Sequence, residues 1–265
     1  MPWAREIAAV FAPNRAVSAG AMRVIVATQV ALALLFWWSS PLPILPRPDE
    51  VYRALGVLWF EQGLGRELWT SVLVNLEALA FTLVISLGLS YLTVLPIFRP
   101  IAAAASKGRF LGLIGLTFVF TLLLGGGRPL KVALLVFGMT VFFVTSMLDV
   151  VAAIPKESFD HARTLRMSEW RAVWEVVVLG TAEKAMDVLR QNAAIGWMML
   201  TMVEGISRSE GGVGAMLLNQ NRHFHLAEVF AIQILILLVG VAQDYGLGVL
   251  RRVLFPYADL GLERR

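Results

Sequence analysis

Apolar residues recur along this chain in blocks close to the ~20 helical residues that cross a hydrocarbon layer of ~30 Å. Six such blocks stand out, at roughly 24–38, 72–95, 110–124, 132–150, 188–203 and 227–241, the last with an extension toward 250. Of the 265 residues, 58% are hydrophobic and only 16% charged, more apolar surface than a water-soluble core of this length can absorb. The fold class this dictates is all-α, a polytopic membrane helix bundle of about six transmembrane helices. The first block follows Arg23 and has the length of a signal sequence, but Ser39, Ser40 and Pro41 offer no small-x-small cleavage site, so it reads as a retained helix. There is no cysteine, which excludes disulfides and thiolate metal sites.

The basic residues set the orientation. With a cytoplasmic N-terminus, the inner side carries Arg5, Arg15, Arg23, Arg99, Lys107, Arg109, Lys156, Arg163, Arg166, Arg171, Lys184, Arg251, Arg252, Arg264 and Arg265. The outer side carries Arg47, Arg53, Arg66, Arg128, Lys131, Arg208 and Arg222. Fifteen against seven places both termini in the cytoplasm. The net charge of +4 therefore reflects membrane orientation, and no nucleic-acid partner is expected.

Two polar stretches interrupt the spans, framed by an interfacial N-terminal segment, 1–22. The outer loop, 41–70, opens with Pro41, Pro43, Pro46 and Pro48 and continues with Val51, Leu55, Leu58 and Trp59 at helical spacing, the pattern of a stiff linker feeding an interfacial helix. The inner loop, 152–187, is dense in charge, yet Phe159, Ala162, Leu165, Trp170, Val173 and Val177 keep an apolar stripe. Two readings of that stripe stand side by side: amphipathic helices on the lipid surface anchored by Trp170 and Trp174, or a docking element whose apolar face fills a partner's groove.

No catalytic signature accompanies this layout. Gly125, Gly126, Gly127 and Lys131 lack the P-loop spacing and the hydroxyl residue after the lysine, and read as a tight outer turn with Pro129 opening the next helix. His223, His225 and Glu228 read as polar interface residues rather than metal ligands. Asp149 and Asp244 lie at inner helix ends, where ionised carboxylates cost little, which disfavours a paired-aspartate protease. The polar groups within spans carry more weight, since each is costly in hydrocarbon unless it faces the bundle or a cavity. Asn75 and Glu77 fall in the first turns of the second span, Gln191 and Asn192 start the fifth, and Glu204 closes it. They are candidates for a substrate path or for helix-to-helix hydrogen bonds.

The order of these features carries a resemblance. Leu45-Pro46-Arg47-Pro48-Asp49-Glu50-Val51 precedes the spans, and Pro155 to Trp170 follows the fourth as Pro-Lys-Glu-Ser-Phe-Asp-His-Ala-Arg-Thr-Leu-Arg-Met-Ser-Glu-Trp. From about 42 to 260 the chain resembles the permease subunits of bacterial ABC importers, in particular the nitrate/sulfonate/taurine type. In the family's Glu-Ala-Ala-x3-Gly loop, Asp160 stands at the Glu, His161 and Ala162 at the two Ala positions, and Arg166 at the Gly. The family's later Leu-Pro falls at Val178 and Leu179, without the proline. Trp197, Glu204 and the run Gly211, Gly212, Val213, Gly214 resemble its fifth span and the glycine turn after it.

The resemblance implies a single transmembrane permease domain, 1–265, in the bacterial inner (plasma) membrane, with 152–187 as its cytoplasmic coupling loop. It implies a transport subunit without its own catalytic site, binding no cofactor, with ATP and Mg on a partner ATPase. ABC ATPase subunits, a second permease identical or homologous to this one, and an extracytoplasmic solute-binding protein are the implied partners, and a small anion or small organic solute the cargo. Phe159, Asp160, Ala162, Arg163, Leu165, Arg166 and Trp170 are then the ATPase-docking residues, and Asn75, Glu77, Gln191, Asn192, Trp197 and Glu204 the path candidates. The alternative is a membrane anchor or sensor whose inner loop docks a partner other than an ATPase.

The charge asymmetry predicts that reporter tags at the N-terminus, beside Lys156 and at the C-terminus report cytoplasm, and tags beside Glu61 and Glu210 the outside. An external signal beside Lys156 overturns both the orientation and the docking assignment.

Overall fold

Pro48 opens a short helix because its missing N–H costs nothing in a first turn, and Glu50 folds back to accept from the Arg47 N–H at 2.9 Å. This helix, α2 (Pro48–Phe60), follows α1 (Ala19–Trp38) and precedes α3 (Leu64–Tyr91), α4 (Arg99–Lys107), α5 (Leu113–Leu124) and α6 (Arg128–Ala152). After them come α7 (Lys156–Thr164), α8 (Glu169–Ala172), α9 (Gly180–Ile206), α10 (Val213–Arg222) and α11 (Leu226–Leu254). The structure is a computed structural model that describes residues 17–42, 44–207 and 210–256, and among these every regular element is helical. Most of the expected interfacial segment 1–22, together with Pro43, Arg208 and the arginines at 264 and 265, lies outside the described residues.

The core is built on α6, whose Leu134, Leu135, Met139, Phe143, Val144 and Met147 are completely buried. α6 packs most extensively on α3, then on α9. α3 buries Ser71, Asn75, Ala78, Thr82, Ser86 and Ser90, a row of mostly small side chains about four apart that lets neighbouring helices come close. Gly196 of α9 completes the junction; a Cβ there would come 2.8 Å from both Asn75 Oδ1 and Met139 Sδ. α1 buries none of its residues in the bundle and is tied to it at one end. There the Trp37 indole donates to the Pro46 carbonyl at 2.9 Å, and its ring lies 6.4 Å from Phe230.

Four helices are long and apolar enough to span on length and composition: Ala19–Trp38, Leu64–Val94, Arg128–Ala152 and Leu226–Leu254. A fifth follows if the pair Pro96–Phe110 and Leu113–Leu124, bent by 116°, counts as one broken span. The expected count of about six is thus not reached by this measure, for two reasons. The block at 110–124 is a helix of only 12 residues, about 18 Å long, because the chain breaks over 108–112. The block at 188–203 sits in the 27-residue α9, whose Glu183, Lys184, Asp187, Arg190, Gln191 and Asn192 dilute its hydropathy.

A Cβ at Gly108 would fall 2.9 Å from Val141 Cγ1, so the chain packs closely on α6 at this break.

Within the expected inner loop, 152–187, only 153–168 departs from long helix, and α7 lies in that stretch. From Glu169 the chain runs through a π-helical stretch, Val173–Leu179, directly into α9. The second expected amphipathic helix is thus the inner end of the fifth long helix. No proline interrupts it, and the wider π turns absorb the slip in phase between its apolar stripe and that of α9. The glycine triplet forms the expected turn, with Gly125 at φ 76°, Gly127 at φ 79° and Pro129 in the first turn of α6.

Candidate functional site

The candidate coupling helix is α7. The Leu165 N–H donates to the His161 carbonyl at 3.2 Å, Arg166 N–H to Arg163 at 2.9 Å and Met167 N–H to Ala162 at 3.1 Å. The last two are the paired bonds of a Schellman turn, with Arg166 at φ 53° in the left-handed position that glycine ordinarily fills. The sequence thus substitutes the residue but keeps the turn.

This geometry divides the predicted docking set. Ala162 is 3% exposed and Phe159 half-buried; both face the chain's own inner end, where Phe159, Arg163, Asp149 and Val177 border a cavity of about 690 Å³. Asp160 and Arg163 pair at 3.3 Å on the exposed side, with Glu169 3.8 Å from Arg163. Leu165 and Trp170, 58% and 66% exposed, stand free with Arg166 and the neighbouring Trp174. The outward surface is therefore Asp160, Arg163, Leu165, Arg166 and Trp170.

A second constellation closes the outer end. The Glu204 carboxylate, fully buried in α9, accepts from Ser71 Oγ of α3 at 2.7 Å and from the Gly214 N–H at 2.8 Å. Ser71 Oγ in turn accepts from the Val213 N–H at 2.9 Å, and the Glu67 carboxylate accepts from the Gly212 N–H. Lys131, 1% exposed in the first turn of α6, donates to the Gly211 carbonyl at 2.7 Å. Side chains of three long helices thus hold the turn that starts α10. The turn must be glycine: Gly211 and Gly212 have φ 69° and 106°, a Cβ at Gly212 would collide with the Glu204 carboxylate, and one at Gly214 with the Thr201 carbonyl.

The remaining path candidates do not converge on one opening. Asn75 Nδ2 and Trp197 Nε1 both donate to Gln243 Oε1 of α11, at 3.0 and 2.7 Å, joining α3, α9 and α11. Asn192 is buried and donates to the Val188 carbonyl of its own helix at 3.0 Å. Glu77 lies in the fourth turn of α3 rather than the first and pairs with Arg128 at 2.5 Å. Gln191 is exposed. Further ion pairs stitch α9 to α11, Arg190 to Asp244 at 2.8 Å and Arg251 to Glu183 at 2.5 Å. His225 Nδ1 lies 2.8 Å from Gln220 Oε1 and His223 Nδ1 2.8 Å from the Asn219 carbonyl. Among the described residues no cluster of His, Asp and Glu has the arrangement of a metal site.

Sequence reasoning missed Ser71, Glu67, Lys131 and Gln243. Ser71 and Asn75, four apart, point to one face of α3, but nothing in the sequence couples that face to a turn more than 130 residues away. Lys131 reads as an outer-loop charge until the turn from Gly211 folds over it.

The site and the bundle together define a helical, multi-pass membrane protein with a short inner helix set between two long ones. Its fold is shared with a chain of the MetNI methionine ABC transporter, solved in inward facing conformations, at a TM-score of 0.59 and 16% sequence identity. The match covers 75% of this chain and 97% of that one. No protein-family model matches the sequence, and no curated protein matches it.

Two predictions follow from the geometry. Glu204→Gln leaves one of the two donors facing an amide N–H, and Lys131→Met leaves the Gly211 carbonyl unpaired, so each should cost about 1–3 kcal/mol of stability in detergent. Because both changes release the same turn, the double variant should cost less than the sum; additive losses in thermal denaturation would show that the two groups act separately. Arg166→Gly relieves a left-handed residue, worth about 1–2 kcal/mol, against a loosened unfolded chain worth about 0.4–1 kcal/mol. The variant should be as stable as the parent or up to ~1.6 kcal/mol more so, and a marked loss would mean that the Arg166 side chain itself is needed.

Proposed function

We propose that the chain is the permease subunit of a binding-protein-dependent ABC importer. The observation that carries this reading is α7: a nine-residue helix closed by a left-handed turn, at one end of a bundle whose fold is shared with a MetNI chain, with Leu165 in that turn and Trp170 just after it left uncovered. On this reading both termini are cytoplasmic and the chain crosses the bacterial inner membrane six times. The broken pair α4–α5 makes the third crossing and α9 the fifth; α9's polar residues are answered inside the bundle by Asp244, Arg251, Gln243 and the outer turn. The nitrate/sulfonate/taurine type remains the family proposed from the sequence.

The chain performs no covalent chemistry; ATP and Mg belong to two ATPase subunits that receive Leu165, Trp170 and the surrounding charges in a groove. Closure of the ATPases displaces α7. Because α7 is joined directly to α6 and, through 165–168, to α8 and α9, its displacement tilts those helices together. The solute, handed over by an extracytoplasmic binding protein, enters along the exposed flank of α9. There a cavity of about 770 Å³ lies between α9, α10 and α11, bordered by Thr201, Met202, Leu218 and Gln233. A second permease, identical or homologous, supplies the opposite wall.

The test is co-purification with the ATPase and measurement of transport. Leu165→Asp and Trp170→Asp each place a carboxylate on the docking face, which has to be desolvated at a cost of several kcal/mol. They should release the ATPase and abolish uptake while leaving the chain inserted and folded, since both positions are exposed in the isolated chain. Ala162→Asp is the wrong probe, because Ala162 is buried in the chain itself. If both surface variants retain the ATPase and couple normally, the docking assignment and the permease reading fail.

A further inference from the structure

The corner between α10 and α11 carries two of the chain's three histidines, His223 and His225. The Phe224 N–H donates to the Asn221 carbonyl at 3.2 Å and the His225 N–H to the Gln220 carbonyl at 3.1 Å, the paired bonds of a Schellman turn. Phe224 holds the left-handed position of that turn at φ 56°, where glycine is usual and a bulky side chain is strained. Its ring is 84% exposed, so the packing of Phe224 does not fix the conformation. What the turn achieves is to fold the chain back and set the two imidazoles against each other, with centroids 5.8 Å apart and planes tilted by 33°.

The hydrogen bonds of the rings decide what they can do. His223 Nδ1 lies 2.8 Å from the Asn219 carbonyl, which can only accept, so that nitrogen carries the proton. His225 Nδ1 lies 2.8 Å from Oε1 of the buried Gln220. The amide nitrogen of Gln220 is spent on Gln62 Oε1, also at 2.8 Å, so its oxygen faces the ring and Nδ1 again donates. Both neutral rings are thereby held in the tautomer that leaves a lone pair on Nε2, and among the described residues nothing bonds either Nε2. A ring that gives Nδ1–H to a carbonyl and leaves Nε2 open is oriented as metal-ligating histidines are. The separation also fits. With Zn–N at ~2.0–2.1 Å, two imidazoles on one tetrahedral ion hold their centroids ~5.2 Å apart, about half an ångström less than here. The neighbouring cation, Arg222, lines the outer cavity, which neither histidine borders, so its charge is directed elsewhere.

We infer that His223 and His225 form a two-histidine site for zinc(II) at the outer corner of the bundle. Spacing alone gives no reason to count a His-x-His pair as ligands; the fixed tautomers do. Among the described residues no third His, Asp or Glu joins the pair, so the remaining coordination positions fall to water. Imidazole nitrogen suits zinc and its copper and nickel neighbours, whereas magnesium and calcium take oxygen. The corner is also where two walls of the outer cavity meet, Asn221 and Arg222 of α10 on one side and Val229 of α11 on the other. A bound ion ties those walls together.

The test uses the full chain in phosphatidylcholine nanodiscs, with no polyhistidine tag on chain or scaffold, titrated with zinc chloride in a calorimeter. The background is low, since the chain has no cysteine and only His161 as a further histidine. One zinc ion per chain is expected, with no heat from magnesium over the same range and tighter binding of copper(II). His223→Gln and His225→Gln should each lose the whole site rather than half of it, and both should fold, because both positions are exposed. Gln220→Met removes the acceptor behind His225 and should weaken binding about tenfold or more, whereas His161→Gln should change nothing. Zinc should raise the thermal midpoint of the parent and of neither ligand variant. No saturable zinc binding, or binding that survives His225→Gln, overturns the proposal. So does an affinity untouched by Gln220→Met, which would mark an adventitious ion only, or one ion per two chains, which would make the pair a contact between copies. Neither solute nor ATPase enters the measurement, so its failure leaves the permease reading standing.

Discussion

A carboxylate withdrawn from water has to receive its hydrogen bonds from the protein, and Glu204 receives them from two elements distant in sequence: Ser71 of α3 and the backbone of the turn at Gly214. Everything at the outer end is arranged around that requirement. The turn approaches closely enough to donate because its residues are glycines, and it stays there because Glu67 and Lys131 hold it on either side. Losing any one group leaves another unpaired, so the arrangement is held as a unit. Mechanically, α3, α6, α9 and the start of α10 are locked together at their outer ends.

The inner half is held differently. Thr82, Ser86 and Ser90 of α3 are buried with hydroxyls that meet no partner, and the contact of α3 with α6 depends on small side chains rather than directed bonds. Such a surface fixes distance more strongly than register. The ion pairs from α9 to α11 move with α9, so α11 follows it rather than opposing it.

The spans legible in the sequence are those whose apolar runs are unbroken: the blocks at 24–38, 72–95, 132–150 and 227–241 all lie within long helices. The third block is carried by a helix that starts only after a backbone break, where Gly108 and Gly112 flank Arg109, and an average over 110–124 hides that break. The fifth fails the hydropathy measure because of its charges; that several of them pair with α11 is a tertiary fact that no window of sequence contains. Arg166 is the opposite case. The resemblance marks its position as one that glycine occupies, and the backbone keeps that conformation with arginine in place. The stripe from Phe159 to Trp170 was correct in period, but period alone does not say which residues turn toward the chain's own core. Ala162 does, Leu165 does not, and the difference arises because α7 packs on α8 and the π-helical stretch Val173–Leu179.

The same reasoning separates structural from functional polarity in the membrane. Asn75, Glu77, Trp197 and Glu204 drew notice as polar or amphipathic groups within spans, and each spends a hydrogen bond or its charge on another helix or turn; Asn192 bonds only within its own helix, and the side-chain oxygens of Asn75 and Asn192 are buried with no partner among the described residues. A group that bonds another element is a joint between helices.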